Sequence, residues 1–365
     1  MVEVGLSLIQ IIKWKKTIAP YQVTPILRPL IRLFSNNDLR PRQHSSNGPN
    51  WNYETDRMKP GRYSQENGWP DYTINSYGIR GDEFKIPKPK DIFRVLVLGS
   101  SSAFGAECQD TETYPEVLEE ILSRHSTRRR VEVLNYGMSS KGLYYNARHY
   151  FEEVDRLAPD VVILNNVRNT WFYDQNQRVC NYFDIIFTNR RILAKLNIFL
   201  TDNSLGFRLL RRAVEGYLFK KWMGPGDRYN KYFFEEIYYQ AIRSMALDVK
   251  GRGGAFVIIL EPYYQDPARQ LDYKKHSNEE LFKVLNGEST MAPVGILPAL
   301  IYNNIFRLQK EFPDVIVLDP VETFIKKENE TPGKDYFIGH SHLTPKGSRL
   351  LAELITEKLL ERISL

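Results

Sequence analysis

The stretch Phe93-Arg94-Val95-Leu96-Val97-Leu98-Gly99-Ser100-Ser101-Ser102-Ala103-Phe104-Gly105 decides the fold. Its first part, residues 93–98, is a short run rich in Val and Leu, as a parallel strand buried on both faces requires. The run passes without a break into Gly99 and three serines, so small hydroxyl-bearing residues arrive at the carboxyl end of the strand. Working outward, residues 114–125 have helical spacing, 131–134 read as a second strand and 145–157 as a helix. Residues 161–164 form a third strand, announced by Pro159-Asp160. Farther on, residues 255–260 give a fourth strand closed by Glu261-Pro262, 301–312 a helix, 315–318 a fifth strand and 346–362 a C-terminal helix. Strands alternating with helices predict an α/β fold, a three-layer doubly wound parallel sheet. A site in such a sheet lies outside the carboxyl ends of the strands.

Length and composition narrow the class. The 365 residues suffice for one enlarged α/β domain or two ordinary ones. Hydrophobic and charged fractions of 42% and 26% exclude a disordered, collagen-like or coiled-coil chain. A net charge of +6 spread over this length permits an anionic partner without implying one, and no nucleic-acid partner is expected. Two cysteines, Cys108 and Cys180, cannot make a disulfide framework or a zinc cluster and fit a reducing, cytoplasmic location. No run of 18 apolar residues is present to span a membrane. The apolar run at 4–12 precedes Lys13, Lys15 and Lys16, the reverse of the order in a secretory signal.

The regular pattern occupies residues 91–365. Residues 1–35 carry two apolar-basic segments, which suit either docking on the domain or a partner subunit, or contact with a membrane surface. Residues 36–90 are rich in Asn, Pro, Gly, Arg and Tyr with little periodicity, so 1–90 reads as an N-terminal arm and wrapping segment. Between the third and fourth strands, residues 171–250 hold aromatic-rich helical segments and read as a helical cap insertion over the site.

Two constellations carry chemistry. Ser101, just past the first strand, can present its hydroxyl at the floor of the site; an ordinary βα turn or a phosphate-cradling turn is the plainer alternative. The Gly-x-x-x-x-Gly-Lys spacing of a P-loop is absent. Near the C-terminus, Gly339-His340-Ser341-His342-Leu343-Thr344-Pro345-Lys346-Gly347 leads into the last helix. A histidine there can act as general base to a serine. The His-x-His pair has no acid cluster at metal spacing beside it, so neither metal nor cofactor is expected. A serine early, a histidine late and an α/β frame point to nucleophilic acyl transfer.

These residues resemble the SGNH/GDSL hydrolases over residues 74–365. The lead-in Asn75-Ser76-Tyr77-Gly78-Ile79-Arg80-Gly81 is similar to one found upstream of the first block in a large branch of that family. Gly99-Ser100-Ser101 is similar to the Gly-Asp-Ser block, with Ser100 at the Asp position. Asn135-Tyr136-Gly137-Met138-Ser139-Ser140 resembles the second block, where an ungapped count puts the oxyanion-binding backbone N–H at Ser140; a displaced loop would put it at Gly137 or Gly142. Val167-Arg168-Asn169-Thr170 stands at the third block, with Asn169 matching the oxyanion-binding asparagine. His342-Leu343-Thr344-Pro345-Lys346-Gly347 matches the fourth block, but Gly339 occupies the position of the aspartate that orients the histidine.

The resemblance implies a serine hydrolase or acyltransferase acting on an O-acyl ester or thioester of a small molecule, glycan or lipid. Ser101 would be the nucleophile and His342 the base. The N–H of Ser101, the N–H of Ser140 and the Asn169 side chain would form the oxyanion hole. The departure at Gly339 leaves three readings: a dyad whose ring is held by a backbone carbonyl or by Asp335, a binding protein that does not turn over, or a chance change in this chain. A missing triad acid costs roughly 10⁴-fold in turnover. Trp171, Phe172, Tyr173, Tyr263 and Tyr264 suit either a cleft or the core. His125, His149 and His276 read as surface residues.

Overall fold

The computed structural model describes residues 50–52, 57–64, 70–139, 141–165, 204, 206, 238–263, 275–285, 295–330, 335–338, 342–363 and 365. In chain order the elements are β1 (Trp51–Asn52), β2 (Arg57–Met58), β3 (Gly61–Tyr63), β4 (Tyr72–Ile74), β5 (Ile92–Gly99), α1 (Ser101–Phe104), α2 (Tyr114–His125), β6 (Arg130–Gly137), α3 (Leu143–Leu157) and β7 (Val161–Asn165). Then follow α4 (Tyr239–Gly251), β8 (Ala255–Ile259), α5 (Asn278–Leu285), α6 (Ile296–Glu311), β9 (Ile316–Leu318), α7 (Val321–Glu330), β10 (Phe337–Ile338), β11 (His342–Leu343) and α8 (Pro345–Leu360).

The central sheet has five strands in the order β6-β5-β7-β8-β9, every pair parallel. This is the expected α/β sheet, and its order has the flavodoxin-like form in which the chain reverses direction between the first and third strands. β5, with β6 on one side and β7 on the other, is buried along its whole length, which is why it reads as an apolar run broken by one charge. Alternate residues feed two cores. Leu96, Leu98, Leu134, Val162 and Ile258 pack with α3, α4 and α6. Val95, Val97, Val133, Ile163 and Val257 pack with α2 and α8. Helices therefore cover both faces and the domain has three layers. Arg94, the one charged residue of β5, is fully buried and donates to Glu132 and to the carbonyls of Lys85 and Leu157.

Each strand read from the sequence forms within three residues of its expected ends, and the helix at 114–125 has the expected bounds. α6 begins five residues earlier than expected, because Ile296, Ala299 and Leu300 extend its buried face. α7 was not foreseen: only Val321 and Phe324 of its ten residues are buried, too few to write a period into the sequence. The segment read as irregular holds two antiparallel pairs, β1 with β2 and β3 with β4. Residues 1–49 lie outside the described residues, as does nearly all of the expected cap at 171–250 apart from α4. Among the described residues, no helix is long and apolar enough to cross a membrane.

Candidate active site

Ser101 opens α1 directly beyond the carboxyl end of β5, with the buried Ser100 as the extended N-cap residue. α1 seats against the ends of two strands, and glycine makes this possible. A Cβ on Gly137, the last residue of β6, would stand 2.4 Å from the Phe104 nitrogen and 2.6 Å from the Ala103 carbonyl carbon. No side chain fits there without moving the turn that carries the serine. α1 then stops at Gly105, whose φ of 71° lies in the left-handed region that ends helices.

His342 arrives from the other end of the chain. β11 pairs with β10, and Thr344 caps α8 by accepting from the Gly347 N–H at 3.1 Å, with Pro345 in the first turn. This sets His342 Nε2 2.9 Å from Ser101 Oγ. Cys108 lies between the two segments, its Sγ 3.5 Å from the Leu343 carbonyl and 3.6 Å from Ser348 Oγ.

The group that faces His342 Nδ1 is the carboxylate of Glu107. Its side chain is 1% exposed, against 30% for the imidazole, so the acid is locked inside while the base keeps an opening to solvent. The contact with Glu107 raises the histidine pKa above its ordinary value, against the opposing effect of burial. The charges of Glu107 and Glu261 push in the same direction. Glu261, buried just past the end of β8, accepts a hydrogen bond from Ser102 Oγ, next to Ser101 in the chain.

The expectation that Asp335 or a backbone carbonyl holds the imidazole is therefore corrected. The Asp335 carboxylate is about half exposed and pairs with Lys346 Nζ at 3.1 Å, while its backbone carbonyl accepts from Thr344 Oγ1. It steadies the histidine loop from outside. Glu107 was missed because the acid was sought beside the histidine, three residues ahead of it. Its signal was nevertheless in the sequence: it is the first carboxylate after the serines, set among the small and apolar residues Ala103, Phe104, Gly105, Ala106 and Cys108. A charged residue in a stretch that otherwise reads as buried demands a partner.

Gly137 is also removed as an oxyanion donor, since its N–H donates to Asn135 Oδ1 at 2.9 Å. Gly142 is the N-cap residue of α3. Ser140, Asn169, Gly339, His340, Trp171, Phe172, Tyr173 and Tyr264 lie outside the described residues. Among the described residues, no group of three or more His, Cys, Asp or Glu side chains is placed to hold a metal ion. His149 is buried on α3 with its ring edge against Tyr145, contrary to the surface reading.

No protein-family model and no curated protein sequence matches the chain. Among solved structures it is similar to a member of the lipolytic G-D-S-L family from Veillonella parvula, at 13% identity and a TM-score of 0.39, covering 74% of this chain and 100% of that one. A catalytic mutant of an acetylxylan esterase from Geobacillus stearothermophilus matches at 12% identity and a TM-score of 0.39, covering 73% and 94%. An α/β hydrolase from the metagenome of Lake Arreo matches at 12% identity and a TM-score of 0.40, covering 73% and 94%. Likeness at this level bears on neither activity nor substrate, which are read from the site's own geometry.

Proposed function

We propose that this chain is a serine hydrolase or acyltransferase of the SGNH type, with Ser101 as nucleophile, His342 as general base and Glu107 as the acid of the triad. One observation carries the reading: an imidazole between a serine hydroxyl 2.9 Å from Nε2 and a buried carboxylate at Nδ1. The carboxylate fixes the tautomer with the proton on Nδ1, leaving the Nε2 lone pair to take the serine proton. As that proton moves, the positive charge forming on the ring is stabilised by Glu107 and by the more distant Glu261.

In the first half-reaction Ser101 Oγ bonds to the acyl carbon of an ester or thioester and gives its proton to His342. The tetrahedral oxyanion is held by the Ser101 N–H, and the proposal assigns further donors to the Ser140 N–H and the Asn169 side chain. Collapse breaks the bond to the leaving alcohol or thiol, which takes the proton from His342. Water, or an acceptor hydroxyl, then attacks the acyl-enzyme with His342 again as base, and Ser101 is released. Water as acceptor makes the chain an esterase, and a sugar or alcohol makes it a transferase. The scheme calls on no metal or cofactor. The substrate is an O-acyl small molecule, glycan or lipid, and residues 1–35 would contact a membrane surface where the ester is lipid-borne.

The alternative, a binding protein without turnover, rests on Gly339 and on the altered third block at 167–170; the contact of Glu107 with His342 Nδ1 counts against the first of these, and the third block lies outside the described residues. The test is covalent labelling by a fluorophosphonate together with hydrolysis of p-nitrophenyl acetate. Wild type labels and turns over, whereas Ser101→Ala does neither and His342→Ala loses turnover. A wild-type chain that neither labels nor hydrolyses would overturn the enzyme reading.

A further inference from the structure

The mechanism makes no use of Arg80, the one charged residue of the lead-in sequence at 75–81. Its guanidinium reaches the loop that carries the acid. We propose that Arg80 is a positioning residue that fixes the orientation of Glu107 and, through it, the basicity of His342. The proposal rests on the assignment of Ser101, His342 and Glu107 given above.

Arg80 is 2% exposed. Its Nη1 donates to the carbonyls of Phe104 at 2.9 Å and Gly105 at 2.6 Å, and its Nη2 donates to the carbonyl of Cys108 at 2.8 Å. Two of these carbonyls precede Glu107 and one follows it, so the guanidinium clamps the acid's backbone from both sides. The need for the clamp follows from the local fold. A helix as short as α1 leaves the Phe104 carbonyl at its end without a helical partner, and the Gly105 carbonyl, which accepts from the Cys108 N–H at 3.0 Å, keeps a second lone pair for the guanidinium. A planar fork of five N–H donors can serve three convergent carbonyls at once; a lysine ammonium cannot match that geometry.

The arginine is itself held. Nε donates to Asp110 Oδ1 at 2.9 Å, which provides the countercharge that a buried guanidinium requires. The rings of Tyr72 and Phe104 lie 5.4 and 5.2 Å from it. Its backbone bridges Ile74 on one side and Asn135 of β6 on the other. The loop that presents it is tied by Asn75, whose Oδ1 accepts from the N–H groups of Tyr77 and Ile79 and whose Nδ2 donates to the Asp82 carbonyl. The lead-in motif thus fixes Arg80 to the sheet, and Arg80 fixes the acid loop to the lead-in. Among the described residues, the charged groups that face His342 are Glu107 from this loop and Glu261 from the end of β8. The hydrogen bonds of Arg80 go to the 104–110 segment, so its influence on the imidazole runs through Glu107.

The experiment uses the full chain with Arg80→Lys, Glu107→Gln and the double variant. It reads the His342 pKa by NMR, with ring signals assigned by their loss in His342→Ala, together with kcat and KM on a short-chain aryl ester. Arg80→Lys is expected to lower kcat by about 10- to 100-fold, the cost of a misplaced catalytic group, with KM within about twofold. The His342 pKa should fall toward the ordinary histidine value of about 6.5. In the Glu107→Gln background the same change should cost less than about threefold, because the group it positions no longer acts. An unchanged His342 pKa in Arg80→Lys, or equal costs in the two backgrounds, would overturn the proposal. Should Arg80→Lys fail to fold, Asp110→Asn, which loosens the guanidinium without removing it, is expected to act in the same direction with a smaller effect; an unmoved pKa there would also overturn it. Glu107→Gln leaving the His342 pKa unmoved would instead overturn the triad assignment, and a chain inert toward esters the catalytic reading, while the titration still reports on Arg80.

Discussion

The segment from Gly99 to Glu112 and the segment from Asp335 to Gly347 meet at the site, and they are held in opposite ways. The first carries both the proposed nucleophile, Ser101, and the proposed acid, Glu107. Residues 102–108 are buried, the turn is seated on Gly137 and its carbonyls are clamped by Arg80. The second carries only the histidine, 30% exposed, and is tied by a two-residue strand pair, the cap at Thr344 and a half-exposed ion pair between Asp335 and Lys346. Placing the acid on the serine's side makes nucleophile and acid one rigid unit, against which the histidine docks. In the resembled family the acid shares a loop with the histidine. In the proposed triad the histidine loop is relieved of that role, which is how Gly339 and a complete set of three groups coexist.

The largest break in this comparison comes from Glu107→Gln. Removing the charge while keeping the shape should lower kcat/KM by roughly 10²- to 10⁴-fold. The sign of the pH effect follows from the shift. His342 works as a base when neutral, so the rate rises with pH as it deprotonates, and Glu107 holds that step above the ordinary histidine value. In Glu107→Gln the rising limb should therefore move to lower pH while the plateau drops. A plateau within about twofold of wild type would show that the acid lies elsewhere.

Gly137→Ala tests the seat of the rigid side. The added methyl meets backbone, not a yielding side chain, so α1 must shift. Thermal or urea unfolding should report a loss of about 1–3 kcal/mol, and turnover should fall by about 10- to 100-fold through displacement of Ser101. Stability and rate both unchanged would mean that the seat is looser than these distances require.

What the sequence revealed follows the same division. The five strands and the helices α2, α3, α6 and α8 were legible because burial writes a pattern into the chain: β5 is apolar but for Arg94, and α2 alternates Val117, Leu118 and Leu122 with charges. Ser101 and His342 were legible because they sit where strand and helix ends must be. Glu107 and Arg80 leave no repeat, because each acts across space through one contact set; the trace of Glu107 is a lone charge in a stretch that otherwise reads as buried. The lead-in looked irregular for the same reason: Asn75, Arg80 and Asp110 hold it through polar bonds, and its buried Ile79 writes no period.

Glu261→Gln probes the weaker of the two carboxylates around the histidine. Glu261 bonds Ser102 and acts on His342 by charge alone, while Glu107 adds direct contact. The rising limb should move to lower pH, as in Glu107→Gln, but by less, with a severalfold loss of kcat because Gln still accepts from Ser102. A shift larger than that of Glu107→Gln, measured in the same buffers, would reverse the ranking of the two acids.

The smallest effect is expected at Asp335, and its smallness is informative. Asp335 lies seven positions ahead of His342 and was one sequence-based choice for the orienting acid, but its carboxylate faces Lys346 in a pair of half-exposed side chains. Exposed pairs of this kind contribute about 0–1 kcal/mol. The bond that shapes the loop, from Thr344 Oγ1 to the Asp335 carbonyl, uses backbone that Asp335→Asn retains. Asp335→Asn should therefore leave kcat/KM within about twofold of wild type and the rising pH limb in place. A limb displaced downward, as in Glu107→Gln, would return the acid to the histidine's own segment and remove the asymmetry between the two halves of the site. An unmoved limb beside a displaced one in Glu107→Gln leaves the acid on the side of the serine.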